Sequence, residues 1–134
     1  FRVPSGLGSP SSGAPLKEAR LYNTPMQAMA VPATGGGSLP SSYSLGTVSG
    51  NSLITCAKWA SVNSNDLILR VYQGSNTSAK ESITLGKSFN TCSTVSALEK
   101  PFTNSTNVPS CAANSANSIS VSIPTAVATV RVTY

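Results

Sequence analysis

The sequence predicts an all-β fold, an antiparallel β-sandwich of about seven to eight short strands. Three observations predict it. Several stretches alternate apolar and polar residues at period two, as half-buried strands do. Turn chemistry rich in Gly, Asn and Ser recurs between them at short spacing. No amphipathic helix is long enough to cover a parallel sheet.

Residues 1–18 are rich in Gly, Pro and Ser and read as an extended lead-in. Leu16 to Arg20 allows one helical turn, stopped by Asn23 and Pro25. Residues 19–134 form the β-sandwich domain, with a weak strand over Gln27 to Val31 and a loop over Pro32 to Pro40. The run Gly35-Gly36-Gly37 lacks a following helix with Lys-Ser/Thr, so it reads as a turn and not a phosphate cradle. Strands are expected near Ser44–Val48, Ser52–Trp59, Asp66–Tyr72, Lys80–Leu85, Cys92–Leu98, Ser118–Ile123 and Ala126–Thr133. Leu67, Leu69 and Val71 oppose Ile68, Arg70 and Tyr72. Ile119, Val121 and Ile123 oppose serines, and Ala128, Val130 and Val132 oppose Thr129, Arg131 and Thr133.

At 134 residues and 13.7 kDa the chain is one domain at most. Only 10% is charged, against about 25% in an average protein. Ser, Thr, Asn and Gly carry the polarity instead, which fits an extracellular or lumenal β-protein. The net charge of +5 comes from scattered single Lys and Arg with few acids. A phosphate-binding surface would cluster them, so nucleic acid is not an expected partner. No apolar run has membrane length, so no membrane partner is expected either.

Of the three cysteines, Cys92 and Cys111 flank a turn-rich excursion and are expected to form a disulfide. Closing that loop contributes about 3 kcal/mol in the chain-entropy view. Cys56 lies in the apolar run Leu53–Ala57 and reads as a buried free thiol, with a bridge to another chain as the alternative. Two sequons, at Asn76 and Asn104, fall in expected turns and mark N-glycosylation sites.

Chemistry is sparse. The chain has no histidine, which removes the commonest general base and metal ligand. Its acids are Glu18, Asp66, Glu81 and Glu99. Nothing in their spacing pairs two carboxylates across a sugar, and each reads as a solvated surface acid. Ser and Thr are abundant but have no partner base. Trp59 and Tyr72 are candidates for sugar stacking, with core packing as the competing reading.

The ordered series of motifs resembles the C-terminal β-rich end of glycoside hydrolase family 38, the α-mannosidases. The match runs from Ala19-Arg20-Leu21-Tyr22-Asn23-Thr24-Pro25-Met26 through a Ser-rich strand and an apolar strand ending in Ala57-Lys58. It continues with Leu67-Ile68-Leu69-Arg70-Val71-Tyr72, then Leu98-Glu99-Lys100-Pro101, and closes on Thr129-Val130-Arg131-Val132. No single motif is specific; the order is. The resemblance implies a segment of a larger β-domain, packed on the remainder of a mannosidase polypeptide or another subunit. It implies a secreted, vacuolar or lysosomal location and an N-glycan or oligomannose substrate for the whole enzyme. It also implies that the catalytic Asp and the zinc with its His and Asp ligands belong to the catalytic partner. No catalytic or metal residue is therefore expected in this chain. An independent secreted carbohydrate-binding or adhesive sandwich would share the sequons, low charge and Ser/Thr richness. In the mannosidase register the chain starts in mid-domain, so an uncovered apolar edge and face are expected.

Overall fold

The computed structural model describes residues 14–30, 32, 35–38, 40–63, 65–74, 79–103 and 106–134. Among these residues a helix α1 (Ala14–Asn23) is followed by eight strands: β1 (Gly46–Val48), β2 (Ser52–Trp59), β3 (Asp66–Gln73), β4 (Ala79–Leu85), β5 (Thr91–Val95), β6 (Ser110–Ser115), β7 (Ser118–Ile123) and β8 (Val127–Thr133). They form two four-stranded sheets, ordered β1-β4-β7-β6 and β2-β3-β8-β5, with every pairing antiparallel. The fold is the expected sandwich.

Alternation places the core. Leu67, Leu69 and Val71 of β3 and Ala128, Val130 and Val132 of β8 face Ile83 and Leu85 of β4 and Ile119, Val121 and Ile123 of β7. All are buried, and Phe89 closes the same cluster. Burying each large side chain contributes about 1.5–3 kcal/mol, so the central strands of both sheets hold the molecule together. Edge strand β2 carries a bulge between Ile54 and Cys56, a device that discourages further strand pairing.

Four sequence expectations are corrected. Helix α1 covers Ala14 to Asn23, so the extended lead-in does not reach residue 18, and the helix is longer than one turn. Ala, Leu, Lys, Glu and Arg favour it, and Asn23 Nδ2 donates to Ala19 O at 2.9 Å near its end. None of its residues is buried; Lys17 Nζ ties it to Gly50 O at 2.8 Å. Gln27–Ala30 form no strand, and Val31 lies outside the described residues. Strand β5 ends at Val95, because Ser96–Glu99 turn away with Glu99 at φ 63°. Strand β6 was not expected: its run SCAANS has only Cys111 partly buried, so hydrophobic period carries no signal there.

The two sheets bury the core between them, but one end stays open. β1 spans only three residues. Ala57 and Trp59 of β2, which pair with core-facing Leu69 and Leu67, are left exposed.

Candidate functional site

The densest polar constellation lies on the outer face of the β2-β3-β8-β5 sheet. After β5 the chain turns back over that face as a strap, residues 96–101. The turn is closed by Glu99 N donating to Ser96 O at 2.9 Å and by Ser96 N donating to Lys100 O at 2.8 Å. Arg70 of β3 donates from Nη2 to Ala97 O at 3.2 Å, and Arg131 of β8 donates from Nη2 to Glu99 O at 2.9 Å. The Glu99 carboxylate pairs with Lys58 of β2 and accepts the backbone N–H of Ser61, just beyond that strand, at 2.8 Å. Ser61 Oγ adds a further bond at 3.2 Å. Beneath the strap, Ile68, Val95 and Ala60 form a second buried cluster.

The charges hold one another in place. The Lys58 ammonium, then the Ser61 N–H, lower the Glu99 carboxyl from 4.5 to about 2. Arg131 Nε lies 3.9 Å from Asp66 Oδ2, an ion pair too long for a hydrogen bond. Asn63 Nδ2 donates to Asp66 Oδ1 at 3.2 Å. Asp66 and Glu99 are thus buried structural anions, not solvated surface acids. Glu81 is corrected in the same way. It shares the inward side of β4 with Ile83, is buried, and accepts Ser52 Oγ at 3.0 Å and Ser49 Oγ at 3.3 Å. The carboxylates are bound to serines, an asparagine, a lysine and an arginine, and the arrangement serves to clamp loops to strands. Among the described residues no three of Cys, Asp and Glu converge as a metal site.

Trp59 and Tyr72 do not meet. Tyr72 pairs with Leu53 on the outer face, whereas Trp59 pairs with core-facing Leu67 at the other end of the hairpin. Trp59 is 60% exposed and lines a cleft at the open end of the sandwich together with Tyr43 and Tyr134. Sequence reasoning missed both tyrosines: Tyr43 precedes the first strand and Tyr134 follows the last, where no alternation points to a face. Burial, and then Tyr43, raise the Tyr134 phenol above its ordinary value.

Cys92 of β5 and Cys111 of β6 face each other between the two sheets as free thiols, both packed against the core. Burial, and then the adjoining Cys92 thiol, push Cys111 up to about 12. A bond between them would join the edge strands of opposite sheets. Cys56 is not fully buried: it sits partly exposed, paired with Arg70 on the outer face. Asn76 and Asn104 lie outside the described residues. No helix is long and apolar enough to cross a membrane among the described residues.

No family model matches the chain, and neither a curated protein nor a solved structure matches it.

Proposed function

We propose that this chain is a non-catalytic β-sandwich segment or subunit of a secreted or vacuolar/lysosomal α-mannosidase-like glycoside hydrolase. Its role is to pack on the catalytic polypeptide and support it. One observation carries this reading. Four charged residues of the mannosidase-like series, Lys58, Arg70, Glu99 and Arg131, come from four separate motifs. All four meet at the strap. Positions from separate motifs of the series thus serve one clamp, which supports a joint structural role. The zinc that the resemblance implies belongs to the catalytic partner. This chain has no histidine.

A second reading, an independent secreted carbohydrate-binding or adhesive sandwich, draws on a different observation. The two sheets bury their core without help from another polypeptide. Purifying the native species through an antibody to this chain separates the two. Zinc-dependent hydrolysis of an aryl α-mannoside, co-eluting with the chain in a larger assembly, is the outcome expected for the first. A chain that elutes alone and inactive would overturn it in favour of the second.

A further inference from the structure

We propose that the open end of the sandwich is a sugar-binding site that takes a neutral pyranose ring against Trp59. The proposal stands on the cleft alone and does not depend on the mannosidase reading.

The cleft has a volume of about 560 Å³, within the range of small-molecule sites. It is lined by Tyr43, Trp59 and Tyr134, with Leu45 and Leu67 among them. Asn65 and Lys87 supply an amide and an ammonium. Tyr43 is 72% exposed and Trp59 60% exposed, so neither ring is spent on the core. That answers the competing reading of Trp59 as a packing residue. Large rings left in solvent around a concavity mark a binding surface more often than a scattered leucine does.

The chemistry fits a pyranose. One face of such a ring is a patch of C–H groups, which seats on an indole or phenol face. Its edge is a belt of hydroxyls, which needs mixed donors and acceptors. Two phenol hydroxyls and an amide meet that need. Among the described residues the lining contains no carboxylate. Its cation is already engaged, since Lys87 Nζ lies 4.9 Å from the centroid of the Tyr134 ring. An uncharged sugar is therefore the better match than an acidic one.

The wall is built and not merely left over. A Cβ on Gly86 would lie 2.8 Å from Tyr43 Oη and 2.7 Å from Ser44 O. Only glycine lets the Tyr43 ring lie this close, and the Gly86 N–H fixes the same segment by donating to Leu45 O at 3.0 Å.

Trp59 is the chain's single tryptophan, so its fluorescence reports the cleft directly. The full chain is titrated with methyl α-mannopyranoside, methyl β-glucopyranoside and methyl β-galactopyranoside, with open-chain mannitol as control. At least one pyranoside should give a saturable change, and mannitol none. By calorimetry, Trp59→Ala should weaken that binding about tenfold, the effect of losing one stacked ring. Tyr43→Ala and Gly86→Ala should weaken it with Trp59 still present to report. Tyr72→Ala, on the opposite face, should leave it unchanged. Thermal melts check that each variant is folded. No saturable response to any pyranoside overturns the proposal, as does a response that survives both Trp59→Ala and Tyr43→Ala. Neither result bears on whether the chain travels with a mannosidase.

Discussion

Replacing Gly50 by alanine should destabilise the chain by about 2–5 kcal/mol, the sum of two effects. Gly50 turns the chain from β1 into β2 at φ +69°. A residue with a Cβ pays about 1–2 kcal/mol to sit in that left-handed region. The new Cβ would also lie 2.3 Å from Glu81 Oε2 and 2.7 Å from Oε1. The carboxylate must then move, although it is only 6% exposed and accepts Ser52 and Ser49. Stranding those buried polar groups costs about 1–3 kcal/mol. Urea unfolding of the wild-type chain, Gly50→Ala, Glu81→Ala and the double variant completes a mutant cycle. Without the Glu81 carboxylate, Gly50→Ala should cost only the backbone share, about 1–2 kcal/mol. An equal penalty in both backgrounds would refute the role given to Glu81. A wild-type-like midpoint for Gly50→Ala would refute the whole account.

The remaining predictions concern the strap, the cysteines and the sequons. Because Lys58 and Ser61 depress the Glu99 carboxyl from 4.5 to about 2, its contribution to stability is complete above about 4.5 and is lost as pH falls towards 2. Urea midpoints measured across that window should fall less steeply for Glu99→Gln than for the wild-type chain; parallel curves would remove Glu99 as the source. Oxidative refolding followed by non-reducing peptide mapping should give a Cys92–Cys111 bond with Cys56 free, raising stability by about 3 kcal/mol; a bridge that includes Cys56 would overturn the pairing. Native material treated with a peptide N-glycosidase should show deamidated Asn76 and Asn104 by mass spectrometry. Unmodified peptides at both sites would count against a secretory route.

The central strands were legible because their core-facing apolar positions recur at period two. In β7 and β8 apolar residues alternate with polar ones, in β3 Leu67, Leu69 and Val71 recur at period two, and all these inward positions are buried. The same alternation contained information that charge type obscured. Glu81 lies two residues before Ile83 and four before Leu85, which places it inward despite its charge. Parity in the hairpin likewise separates Tyr72, in phase with Ile68 and Arg70, from Trp59, which pairs with Leu67. β6 was not legible, since a polar edge strand shows no hydrophobic period. Nor was the strap. Glu99 meets Ser61 across 38 residues and Arg131 donates to it across 32. Each charge read singly looks solvated; only the sheet order brings them together.

The strap also dictates when this domain can be finished during synthesis. Its anchors begin at Lys58 and end at Arg131, so it has no complete docking surface until β8 has left the ribosome and paired between β3 and β5. Until then Ile68 and Val95 have no cover on their outward side. Translation proceeds at about 5–20 residues per second, so nascent chains spend seconds in that half-built form. That form exposes apolar surface of the kind that makes folding intermediates prone to aggregate, and the passage from β3 to β8 is the interval that exposes it.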